Sequence, residues 1–257
     1  MIDEAIAALR DGRFFLIYDF DDREGETDLA IRSDAVTPRD ILRMRKDGGG
    51  LICTAVHPSA AHRLGLPFAS DVFSKTCLGE EIGDIPYDRK NHSSFSLWVN
   101  HKNTFTGITD RDRTLTITEI GRTVSEVMAG KHVDFAAQFR TPGHCPLLRA
   151  ADDLLHQRRG QTELSIALAA MAGVTPAVTI CELLDDATGK ALTREDARKY
   201  AKKYGFAFVG GNDVLEAWDG RAGTLAHETA RINSAVEASH AAHSHAHAAI
   251  HAEGDDD

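Results

Sequence analysis

Four short apolar runs, FFLIYD (residues 14–19), LICTAV (51–56), TPAVTICELL (175–184) and FAFVG (206–210), recur along the chain with helical patterns between them. Each is short for a buried helix and bounded by turn or charged residues, so each reads as a buried strand. FSLWV (95–99) alternates as a half-exposed strand should. Helices are expected over 2–11, from Thr37-Pro38 to the glycines at 48–50, over 116–129 starting near Thr118, over 162–172 and over 193–204, with a last turn or two at 213–218. Strands and helices that alternate without segregating favour an α/β fold or a mixed α+β sheet.

With 42% of its 257 residues hydrophobic, the chain can bury a full core. One catalytic domain over residues 1–228 is expected. Beyond it the composition shifts to Ala, His and acidic residues, ending SHAAHSHAHAAIHAEGDDD, and residues 229–257 read as a solvated tail or a weak site for soft or borderline metals. No apolar run approaches the ~18 residues of a membrane span, and the acidic start MIDEAIAALRDG is unlike a signal peptide. Cys53, Cys77, Cys145 and Cys181 are far apart with no CxxC pair, as in a reduced cytoplasmic protein. A net charge of −10 argues against nucleic acid as the main partner, while leaving room for a small phosphorylated ligand held by one or two arginines.

The stretch YDFDDREGETD (18–28) places carboxylates at 19, 21, 22, 24, 26 and 28 just past a strand end, where open α/β sheets bind ligands. In an extended loop, Glu24, Glu26 and Asp28 share a face, which suits a hard dication such as magnesium; a structural acidic turn is the competing reading. In QFRTPGHCPLLRA (138–150), Pro142-Gly143 forces a turn that presents His144, an acid or base near neutral pH or a residue satisfied by backbone, ahead of a helix carrying Leu147 and Leu148. In HQRRGQTEL (156–164), Arg158, Arg159, Gly160, Gln161 and Thr162 open a helix and form an anion cradle without a Walker or Rossmann glycine pattern. Glu182 in TICELL sits among apolar neighbours, which suits an acid–base group or a buried ion pair. Together these residues describe an enzyme with a carboxylate-bound cation and a phosphate cradle. Proton abstraction beside a carbonyl, aldol cleavage and phosphate hydrolysis all use those parts.

DFDDREGETD, MRKDGGGLICTA, FTGITDRDRTLTI, FRTPGHCPLLRA, RGQTELSIALAAMAG and ICELLDD occur in the order seen in the 3,4-dihydroxy-2-butanone 4-phosphate synthase family, which the chain resembles from about residue 2 to 218. The resemblance implies a mixed α/β sandwich and a homodimer with its active site at the interface. It also implies conversion of D-ribulose 5-phosphate to L-3,4-dihydroxy-2-butanone 4-phosphate and formate, and a requirement for Mg2+ or Mn2+, two ions per subunit. It implies catalytic roles for Asp19, His144 and Glu182, and metal ligation by Glu24. Arg23 and Asp28 would hold the sugar, Glu26 would share Asp19's role, Cys53 would line the pocket, and Thr141, Arg158, Gly160 and Thr162 would hold the phosphate. Where the family usually reads GHTE this chain reads GQTE, so Gln161 stands at the family's second metal ligand. The rival readings are a silent sugar-phosphate sensor and a metal-dependent aldolase or isomerase.

Overall fold

The computed structural model describes residues 1–76, 88 and 90–221; the His-rich tail and Cys77 lie outside the described residues. Residues Met1–Glu216 form one compact unit; of the second unit, Ala217–Asp257, the described residues are helical. The strands are β1 (Phe15–Tyr18), β2 (Thr27–Arg32), β3 (Cys53–Val56), β4 (Phe95–His101), β5 (Phe139–Arg149), β6 (Ala177–Glu182) and β7 (Ala207–Gly210). They make one seven-stranded sheet in the order β4-β5-β3-β6-β2-β1-β7. The β1–β7 and β3–β5 pairs are parallel and the remaining pairs antiparallel, so the sheet is mixed, as expected.

The helices are α1 (Ile2–Arg10), α2 (Pro38–Asp47), α3 (Pro58–Leu64), α4 (Ala69–Phe73), α5 (Asp110–Met128), α6 (Phe135–Gln138), α7 (Leu154–Gln157), α8 (Gln161–Ala172) and α9 (Arg194–Tyr204). Thr37 starts α2 through a capping box with Asp40, and Pro38 fits the first turn because its missing N–H has no partner there anyway. Side chains alternate across the sheet. Leu16, Tyr18, Leu29, Ile31 and Cys181 pack on one face with Ile41 and Met44 of α2, Ile117 of α5 and Ala197 and Ala201 of α9. On the opposite face α8 lies against β6, β3, β1 and β2 and is overlaid by α1, which explains why α8 is buried almost all round.

Three expectations need correction. Residues 27–32 are a strand, so the acidic stretch is a hairpin turn and Asp28 belongs to β2. Leu147 and Leu148 extend β5 instead of opening a helix, because they pair with Thr54 and Ala55 of β3; a long-range ladder overrides what the local pattern suggests. Helix α5 begins at Asp110, well before Thr118, because the Thr109 hydroxyl caps the N–H of Asp112.

Candidate active site

At the end of β1 the chain turns around one carboxylate. Asp19 is buried, and its Oδ1 accepts the backbone N–H of Glu26 at 2.9 Å while Oδ2 accepts that of Glu24 at 3.1 Å and Arg23 Nη1 at 3.1 Å. Burial raises its proton affinity and those three donors oppose the rise. Gly25 completes the turn at φ 67°, the left-handed region that favours glycine. Asp19 therefore shapes the loop from inside, and Glu24 and Glu26 line a cleft beside it.

That cleft, about 240 Å3, lies at the β2, β3 and β6 strand ends beneath the N-terminus of α8. Its acidic wall consists of Glu24, Glu26, Asp28 and Glu182, and Cys53 lies beside them. Asp28 and Glu182 are cross-strand partners, which places their side chains on one face. Burial, followed by the charges of Glu182, Glu24 and Glu26, pushes the Asp28 carboxyl well above the usual range. Burial and Glu24 raise Glu182 as well, and burial with Glu24 and Glu182 raises Glu26. The Cys53 thiol is pushed up by burial and by Glu182 and Asp28, so it lines the cleft as a neutral group.

The opposite wall is cationic. Arg158 is buried and donates from Nη1 to Glu163 Oε2 at 2.6 Å, and Glu163 Oε1 accepts the N–H of Ala151. Gly160 caps α8, and a Cβ on it would lie 2.2 Å from Arg158 Nη1 and 3.0 Å from Arg23 Nη2. Thr162 lies in the first turn of α8, whose free N–H groups and helix dipole favour an anion beside Arg158. Gln161 accepts from Arg23 Nη1 at 3.3 Å, and Arg23 also pairs with Glu24 Oε1 at 3.0 Å. Arg159 turns away: it lines a neighbouring depression with Asp21, Asp22 and Asn212.

Thr141 and His144 do not join this cleft within one chain. They are exposed residues of β5, where Thr141 Oγ1 donates to Trp98 O at 2.8 Å and His144 meets Asn100. Leu148 lines the cleft, and His144 precedes it by about 13 Å of strand rise. Sequence reasoning missed Glu163 and Asn100; Glu163 looked like an ordinary residue of a helix's first turn, and a lone asparagine at a strand end gives no local signal.

The acidic wall offers oxygen donors only, and Asp28 Oδ1 is buried without a hydrogen-bond partner. A buried oxygen donor without a partner fits a hard dication. Among the described residues no three His, Cys, Asp or Glu side chains converge closely enough to hold a metal by themselves. The expected Glu24–Glu26–Asp28 set is thus not a closed cage, and a cation here would complete its shell with other oxygens.

The sequence pattern of 3,4-dihydroxy-2-butanone 4-phosphate synthases matches residues 3–217. The chain belongs to that family. It is 57% identical over 221 residues to the 3,4-dihydroxy-2-butanone 4-phosphate synthase of Archaeoglobus fulgidus, covering 83% of this chain and 92% of that relative. It is 30% identical over 219 residues to the riboflavin biosynthesis protein RibBA of Staphylococcus aureus, covering 84% of this chain and 49% of RibBA. A crystal structure of a family synthase in complex with two magnesium ions superposes with TM-score 0.70 at 26% identity, covering 86% of this chain and 98% of that one. The chain is an enzyme of riboflavin biosynthesis that converts D-ribulose 5-phosphate to L-3,4-dihydroxy-2-butanone 4-phosphate and formate. Among the described residues no helix is long and apolar enough to cross a membrane.

Proposed function

We propose that the cleft binds ribulose 5-phosphate with its phosphate at the N-terminus of α8 and its C2–C4 segment along the acidic wall. The observation that carries this reading is the opposition of Arg158 and the α8 N–H groups to Asp28 and Glu182 across one small cleft. Thr162 and Arg158 hold the phosphate, and Gly160 leaves room for both guanidinium groups. Asp28 and Glu182, neighbours with raised proton affinity, act as a pair that takes the C3 proton and returns it to a later intermediate. A bound dication, magnesium or manganese with two ions per subunit, supplies electrostatic stabilisation of the charge that develops on the C2 and C3 oxygens. Glu24 is the protein's main donor to it, and Gln161 offers a neutral carbonyl oxygen when Arg23 yields its contact. The C1 hydroxyl leaves as water, the skeleton rearranges, and one water is taken up again as C4 departs as formate, so the atoms balance.

Thr141 and His144 complete the site in a homodimer, each cleft receiving them from the second copy. Their exposure, and their distance along β5 from Leu148, support that arrangement. The buried thiols of Cys53, Cys145 and Cys181, free of disulfides, support a cytoplasmic location. The test is to mix purified protein, ribulose 5-phosphate and magnesium and to measure formate. One formate per ribulose 5-phosphate consumed is expected; consumption without formate would favour an aldolase or isomerase, and no consumption a sensor.

A further inference from the structure

The ladder between β4 and β5 shifts register twice, between Phe95 and Trp98 and again between Val99 and Asn100. Val99 pairs with Cys145, yet the next residue, Asn100, pairs with Arg140, so Thr141–His144 bulge out of the sheet. A bulge leaves backbone groups without ladder partners, and the Asn100 side chain fills that gap. Its Oδ1 accepts the His144 backbone N–H at 2.9 Å. An N–H can only donate, so this contact fixes which end of the amide is oxygen. The Nδ2 amide is thereby left facing the His144 ring, 3.1 Å from Nδ1. Nδ1 also lies 3.3 Å from Oδ1, but that oxygen already accepts the backbone N–H, and a proton on Nδ1 would face the nearer Nδ2 donor. The arrangement that avoids two donors in contact has Nδ1 accepting and the neutral ring's proton on Nε2.

The amide is held there from both sides. Asn100 is buried at 4% exposure, whereas His144 is exposed. A Cβ on Gly107 would lie 2.1 Å from Asn100 Nδ2, and one on Gly143 would lie 2.3 Å from the Asn100 backbone nitrogen. Gly107 itself is anchored, because its N–H donates to Asp112 Oδ2 at 2.8 Å. The amide therefore has little freedom to rotate and exchange its two ends.

We propose that Asn100 is a positioning residue that holds the exposed His144 ring in its Nε2–H tautomer, presenting a proton donor to whatever the ring faces. This rests on the catalytic reading of His144 above. The C1 hydroxyl must gain a proton to leave as water, and an Nε2–H presents a donor to that oxygen, whereas an Nδ1–H tautomer would present a lone pair at Nε2 instead.

The test uses the full-length enzyme with 15N-labelled histidine, the His144 signals being identified by their loss in His144→Ala. At a pH where the ring is neutral, the wild-type spectrum should show Nδ1 unprotonated and Nε2 protonated. Asn100→Asp is nearly isosteric, so it fits beneath Gly107 and still accepts the His144 N–H, but its carboxylate cannot donate. It should move the proton to Nδ1 and lower kcat by about tenfold or more, with KM within about twofold, on the scale of lost support for an essential group. Asn100→Ser, small enough to fit, should let both tautomers coexist. A wild-type ring protonated at Nδ1, or an Asn100→Asp enzyme with unchanged tautomer and kcat, would overturn the inference. Normal turnover by His144→Ala would instead remove the catalytic reading on which it rests, whatever the spectra show.

Discussion

Asp28 and Glu182 stand directly opposite each other across the β2–β6 ladder, with both carboxyl groups directed into one cleft. Neither has a basic residue among the dominant influences on its charge; burial and other carboxylates raise the proton affinity of both. Such a pair is costly to keep in a folded chain unless a ligand or cation uses it.

That cost has a pH signature. A carboxyl whose proton affinity is raised on folding binds more protons in the native than in the unfolded chain, so stability falls as pH rises from its ordinary value, 3.8 for Asp28 and 4.5 for Glu182, through the raised one. Asp28→Asn removes one such group. In metal-free protein the variant should gain stability relative to wild type progressively as pH rises from 4 to 8, while losing most activity. Thermal melts across that range check it; a constant difference between the two curves would show that the pair does not carry this linkage.

Glu182→Gln retains the shape of the cleft but removes a proton acceptor. Turnover should fall by roughly 10²-fold or more, the scale of a lost general acid–base group, with folding intact by circular dichroism. Near-normal kcat would leave Glu182 a structural residue.

Glu163 is the sole carboxylate with a hydrogen bond to the buried Arg158 guanidinium among the described residues, and it also ties down Ala151. Glu163→Gln leaves the arginine's charge without its counter-charge, which should cost about 3 kcal/mol in denaturant unfolding and raise KM for ribulose 5-phosphate. A loss below about 0.5 kcal/mol, the range of ordinary surface substitutions, would show that Arg158 is held by other means.

Gly160 has φ −89° and ψ 169°, a conformation alanine tolerates, so Gly160→Ala acts through space alone. Its methyl would displace Arg158 and crowd Arg23. We expect KM to rise by about tenfold, the equivalent of about 1.4 kcal/mol, with a small change in melting temperature. Steady-state kinetics beside a thermal melt separates this outcome from simple unfolding.

Metal removal tests the acidic wall. EDTA should abolish formate release, and magnesium or manganese should restore it. Gln161→Ala should raise the metal concentration for half activity by about 10–100-fold if the amide supports the ion; an unchanged midpoint in that titration would limit Gln161 to its contact with Arg23.

Much of this protein was legible in its sequence. Apolar runs ending at Asp19 and Glu182, the Thr37-Pro38 helix start and the Gly160–Thr162 opening of α8 are local signals, set by side-chain period, capping and turn chemistry. They identify strand ends and a helix N-terminus, and with them most of the residues that line the cleft. What the tertiary structure decided is pairing. Residues 27–32 became a strand because β1 and β6 flank them, and Leu147–Leu148 became one because β3 offered a parallel edge. The role of Asp19 as the turn's internal tie, the Arg158–Glu163 pair and the Asn100–His144 contact likewise depend on three-dimensional placement. Hydrogen bonds and ion pairs act over a few ångströms in space, and a linear pattern carries no measure of distance between segments that only the folded sheet brings together.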